Sequence, residues 1–153
     1  MDNTNIKEFV ARHIPEATFE ENKQFLSATV EPSKLHGLLK ALKENPETLF
    51  DYLFCITGAD VQGKLMVIYH LESTTLKHQV VVKTGTPDRE NPVFDSITDL
   101  FSGAELHENE IFDLFGIIFK GHPNLRRMFM PDDWKGYPLR KDYTDEVNIV
   151  ELS

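Results

Sequence analysis

Between His107 and Asp142 the chain gathers most of the residues that could do chemistry, HENEIFDLFGIIFKGHPNLRRMFMPDDWKGYPLRKD. Glu108, Glu110 and Asp113 are carboxylates at close spacing, and carboxylates held together can move protons or bind a hard cation. His122 follows in Gly121-His122-Pro123, a rigid turn where an imidazole could act as ligand or base. Arg126-Arg127 and Arg140-Lys141 are basic doublets separated by Trp134, Gly136, Tyr137, Pro138 and Leu139. The segment has no cysteine, no phosphate-cradling glycine loop and no nucleophile beside a base.

Each group also has a plainer use. On a helix Glu110 and Asp113 share a face while Glu108 points elsewhere, so these carboxylates are expected to pair with Arg126, Arg127 or Arg140 and pin the following segment to the helix. No second histidine stands at ligand spacing from His122, and a hydrogen bond that stabilises its turn is the expected role. Tryptophan, tyrosine and arginine are enriched where protein interfaces concentrate binding energy, and prolines lower the entropy lost on docking. Interleaved bases and aromatics could also suit single-stranded nucleic acid. Asp132, Asp133 and Asp142 lie among them, however, and the whole chain carries a formal charge of -9. Docking onto a protein is the reading that remains.

The elements that must position these residues follow from periodicity. Asn3 to His13 reads as a short helix, and Ala17 to Val30 as a strand pair. Pro32 opens a second helix with Leu35, Leu38, Leu39 and Leu42 on one face, stopped by Asn45-Pro46. Leu49 to Thr57, almost continuously apolar, is expected to be a central strand; Lys64 to Leu71 and His78 to Lys83 follow as its hairpin partners. Val93 to Phe101 and Ala104 to Phe115 both read as helices, the second ending at Gly116. The sum is an α+β fold, an antiparallel or mixed sheet packed by helices, over residues 1–119. Residues 120–153 form an irregular, proline-rich docking segment, expected to be loosely held beyond Asp142 without a partner.

At 153 residues the chain suits one domain that buries about two thirds of its unfolded surface. Cys55 is the only cysteine, expected as a small buried strand residue, and one thiol cannot supply a disulfide or the usual iron–sulfur ligands. The N-terminus, MDNTNIKEFVARH, has no apolar core of signal-peptide length, and the densest apolar run, Ile111 to Phe119, is far shorter than a membrane span, so the chain is expected to be cytoplasmic, reaching a membrane only through partners.

Residues Glu108 to Tyr143, read as ENE, DLFG, GHP, LRR and DDWKGYPLRKDY, resemble the signature of the C-type subunit family of respiratory complex I, the proton-pumping NADH:quinone oxidoreductase. Upstream, LFDYLFCITGAD and KLMVIYHLES are similar to the family's core. Asn109 stands where the family usually has arginine, and Leu106 where many members have an aromatic residue. The resemblance implies a peripheral-arm subunit on the cytoplasmic side of the membrane, without catalytic residues, metal or cofactor of its own. Its partners would be the quinone-site subunit related to hydrogenase large subunits and a small iron–sulfur subunit, which hold the clusters. The equivalent subunit of an energy-converting membrane-bound hydrogenase, or of a related dehydrogenase, stays open beside it. On this reading Trp134, Tyr137, Leu139, Arg140 and Lys141 contact the partner, and Arg126 and Arg127 tie the segment down. Two other classes stand against it: a small autonomous enzyme in which Glu108, Glu110 and His122 converge, and a free binding module.

Overall fold

The computed structural model describes residues 2–144. Helix α1 (Asn3–His13) starts on Asp2, whose carboxylate accepts the Asn5 N–H, and it buries Ile6, Phe9 and Val10. An antiparallel pair follows, β1 (Thr18–Glu21) and β2 (Leu26–Thr29). Helix α2 (Pro32–Glu44) begins on proline, where the missing N–H has no intrahelical role, and buries the four leucines that its spacing predicts. Strands β3 (Tyr52–Val61), β4 (Lys64–Ser73) and β5 (His78–Thr86) form an antiparallel meander. Strand β6 (Val93–Asp95), helix α3 (Ala104–Phe115) and strand β7 (Ile118–Lys120) complete the regular structure among the described residues.

The main sheet runs β1-β2-β5-β4-β3, with β2 parallel to β5 and every other pair antiparallel. Period-2 alternation gives it two unlike faces. Leu65, Val67, Tyr69 and Leu71 of β4, with Val80 and Val82 of β5, join the three helices in one core. Met66, Ile68 and His70, on the opposite face, are only half-buried. The α+β class with a mixed sheet is as the sequence predicts.

Three local expectations are corrected. Strand β3 is an edge strand and not a central one. Its apolar run is split by the pleat: Leu53 and Ile56 are buried while Tyr52 is 50% exposed. A bulge between Leu53 and Cys55 breaks the register, and Cys55 is half-buried instead of buried, with Sγ 3.4 Å from the Thr57 hydroxyl. Residues 93–101 are not a helix. Val93–Asp95 pairs in parallel with β7, and a single turn after it places Ile97, Leu100 and Phe101 in the core. A strand followed by one turn satisfies the same apolar spacing as a helix, and pairing to β7 decides between them. Finally, β3 continues through Gly58, so the turn before β4 is only Gln62 and Gly63, both at positive φ.

Candidate functional site

Helix α3 is the platform of the site. Ala104, Ile111 and Phe115 bury its inner face, and Gly58 of β3 lets it come close: a Cβ there would lie 2.7 Å from the Phe115 ring. The helix ends on Gly116 at φ 73°, left-handed geometry that favours glycine. It has no basic residue in its last turn, and its final carbonyls need partners from elsewhere.

The chain beyond Lys120 supplies most of them. Gly116 N–H donates to the Phe112 carbonyl (2.8 Å), Arg127 Nη1 to that of Asp113 (3.2 Å), Leu139 N–H to that of Leu114 (3.0 Å) and Arg140 Nε to that of Phe115 (2.6 Å). Two guanidiniums thus sit at the negative end of the helix dipole, where cations are favoured. The Tyr137 ring lies within 4.8 Å of the Arg127 guanidinium and 5.3 Å of that of Arg140. A Cβ on Gly116 would approach that ring to 2.6 Å, so the glycine is needed for space as well as for φ.

Asp113 organises the first half of this segment. Fully buried, it takes Arg127 Nη1 on Oδ1 (3.1 Å) and the amides of Met128, Phe129 and Met130 on Oδ2 (3.1, 2.6 and 3.1 Å). Burial alone would push its carboxyl up. The three amides and Arg127 outweigh that and hold it below the ordinary carboxylate range. Arg127 then spans onward, donating from Nη2 to the carbonyls of Trp134 (3.3 Å) and Gly136 (2.9 Å).

Asp60, buried near the end of β3, organises the second half. Arg89 grips it with two bonds (2.9 and 2.6 Å), and the Lys141 N–H donates to it at 2.8 Å. Arg89 also reaches Asp142 (3.3 Å), and Arg140 Nη1 donates to the Arg89 carbonyl (2.9 Å). The Arg89 bonds, opposed by burial and helped by the Lys141 amide, bring the Asp60 carboxyl down to about 2. Asp142 and Tyr143 are therefore tied back, Tyr143 N–H donating to the Arg140 carbonyl. The expectation of a loosely held end otherwise falls on residues 145–153, outside those described.

The remaining expected residues lie apart. Glu108 does not meet an arginine as expected: it enters the core, accepting from the Ser96 hydroxyl (2.6 Å) and the Ile97 N–H (3.3 Å). Both donors are neutral, so burial pushes its carboxyl up to about 7, and the Asp99 charge adds to this. Glu110 is exposed, and the expected pairing on this helix is made by Asp113 with Arg127. Arg126 bonds through its backbone, its N–H donating to Asn109 Oδ1 (3.1 Å), so buried Asn109 is a tie point for the segment. His122 does stabilise its turn: Nδ1 accepts from the Asn124 N–H (2.9 Å), which leaves Nε2 to donate to the Glu105 carbonyl (3.0 Å). Gly121 and Gly136 take positive φ, and Pro123 and Lys141 are exposed. Trp134 and Pro138 are half-buried, whereas Leu139 is 53% exposed. Glu108, Glu110 and His122 thus do not converge, and among the described residues no three His, Cys, Asp or Glu side chains are placed to hold a metal ion.

Residues 28–147 match the family described as respiratory-chain NADH dehydrogenase, 30 Kd subunit. The C-type subunit of the NADH-quinone oxidoreductase of Roseiflexus sp. (strain RS-1) is 40% identical over 147 residues, covering 93% of this chain and 84% of that one. This chain belongs to that family. Some members are longer: the C/D-type subunit of the NADH-quinone oxidoreductase of Phocaeicola vulgatus is 43% identical over 121 residues, 78% of this chain but only 23% of that protein. Among solved structures, a chain of the membrane-bound sulfane sulfur reductase, an archaeal respiratory membrane complex, superposes with a TM-score of 0.76 at 26% identity. It covers 94% of this chain and 86% of that one. The matched residues 28–147 include helix α3 and the segment tied to it through Asp113, Asn109 and Asp60.

Sequence reasoning missed Asp60, Arg89, Met128 and Phe129. Asp60 had a signal, since it lies an even number of residues beyond the inward-facing Ile56 on one strand and therefore had to point inward. Phe129 had one as well, as part of the Met128–Met130 apolar run inside a polar segment.

Proposed function

We propose that this chain is a non-catalytic scaffold subunit in the peripheral arm of a membrane-bound NADH:quinone oxidoreductase. It would brace the quinone-site subunit and a small iron–sulfur subunit, which carry the clusters, on the cytoplasmic side. The observation that carries the reading is the existence of C/D-type relatives, in which a part like this chain makes up less than a quarter of a longer protein. Two parts that tolerate fusion are parts that work side by side. The geometry supports it: the 120–144 segment is fixed by Asp113 and Asp60 before any partner arrives, which lowers the entropy lost on docking. No described helix is long and apolar enough to cross a membrane.

The equivalent subunit of a related membrane-bound complex is the second reading, favoured by the likeness to a chain of the sulfane sulfur reductase. Affinity capture of the tagged chain from its native membranes, followed by mass spectrometry, separates the two. Recovery of a D-type subunit with NADH-oxidising partners is the expected result; hydrogenase or sulfur-reductase subunits would favour the second reading. Recovery of the chain alone, in detergent that preserves such complexes, would overturn both.

A further inference from the structure

Phe129 is 60% exposed and Met128 beside it 36%, yet their backbone is firmly tied: three successive amides, from Met128 to Met130, converge on one oxygen of a fully buried carboxylate. Three bonds to one acceptor fix the dihedrals between them and so fix where the side chains project. Leu125, a little upstream, packs against the core; Met128 and Phe129 do not. Leu139, also exposed, hangs from the carbonyl of Leu114, the residue after Asp113. The fold therefore uses hydrogen bonds to a buried carboxylate to hold large apolar side chains out in water. A rigid exposed aromatic that serves no internal packing is the kind of group that anchors an interface.

The charge around it indicates what it fits. Arg127 and Arg140 are turned inward on Asp113 and backbone carbonyls, but Lys120 and Lys141 of the same segment are exposed, in a chain whose formal charge is -9. Arg126, within the same short run, is exposed. We infer that Met128 and Phe129 form a preformed plug that seats in an apolar, acid-rimmed pocket of the D-type subunit. This rests on the scaffold reading above, and the C/D-type relatives argue for that occupant over a second copy of this chain.

The test uses the full chain, tagged and expressed in its native host, with the D-type subunit recovered by affinity capture as the readout. Phe129→Ala is expected to lower that recovery roughly tenfold or more, the effect of losing a hot-spot side chain. Phe129→Leu should restore part of it. The unfolding midpoint of the isolated full chain should stay unchanged in both variants, since Phe129 lies outside the core cluster. Equal recovery with the wild-type chain and Phe129→Ala would overturn the plug while leaving the scaffold reading intact. No D-type subunit with the wild-type chain would instead sink the scaffold reading. Loss of a self-associated species in Phe129→Ala, with D-type recovery unaltered, would overturn the plug by making a second copy the occupant.

Discussion

Asp113 and Glu108 lie on the same helix, both fully enclosed, and their carboxyls are shifted in opposite directions. Around Asp113 the tail brings a guanidinium and three amides, enough to outweigh desolvation. Around Glu108 the loop after β6 brings one hydroxyl and one amide, and desolvation wins. Near Glu108 the Tyr69 hydroxyl is also enclosed with no hydrogen-bond partner among the described residues, and burial, then Glu108 and Asp95, push its pKa up. Whether an enclosed carboxylate stays ionised is set by the balance between desolvation and the count and charge of its donors. One side of α3 is thus an ionised clasp for residues 127–130, and the other is a polar inclusion in the core that takes up a proton near neutral pH.

The strongest way to break this contrast is Asp113→Ala. It leaves the Arg127 charge with no carboxylate, only carbonyls and the Tyr137 ring, and orphans three amides, so it is expected to destabilise the chain by about 3–5 kcal/mol in urea unfolding. A loss below about 1 kcal/mol, the worth of an ordinary hydrogen bond, would mean that the clasp contributes little. Glu108→Gln sharpens the contrast through pH. Glu108 keeps its proton to about pH 7 when folded and loses it near 4.5 when unfolded. Its protonated form therefore stabilises the fold fully below 4.5, and that contribution is lost as pH rises to 7, amounting to about 3 kcal/mol. The glutamine variant should lack this slope when urea midpoints are compared between about pH 4.5 and 8, either side of the titration; an unchanged slope would assign it to another group. Asn109→Ala gives the smallest effect. It removes the acceptor of the Arg126 amide and should cost about 1 kcal/mol, read by the same unfolding curves.

Much of this was legible in the chain. Helix α3 and its end at Gly116 follow from spacing, because helix faces are a local property; that its carboxylates would meet a downstream arginine was expected, but only Asp113 does, and the choice of Arg127 over Arg126 or Arg140 was not legible. The inward turn of Glu108 was legible too, but overlooked: Ala104, Glu108, Ile111 and Phe115 fall at helical intervals on one buried face. The edge position of β3 was not legible, since strand order depends on contacts far apart in sequence. Nor was the grip of Asp60 on Arg89 and Lys141, three residues from three separate parts of the chain. The same holds for β6, whose parallel partner appears only after α3.

The single parallel seam of the main sheet carries a consequence for how the molecule comes into being. The β3–β4–β5 meander closes by short turns and can form as soon as its own residues are available. The β1–β2 hairpin cannot join the sheet until Ser27 meets Val81. On a ribosome the first strands made are thus the last to join the main sheet, and their apolar residues, Leu26 and Ala28, wait uncovered while the middle of the protein is synthesised. Because loop closure must precede the contacts that reward it, that seam, which joins the residues farthest apart in sequence among the strand pairs, is expected to be the slowest pairing to form in a folding experiment.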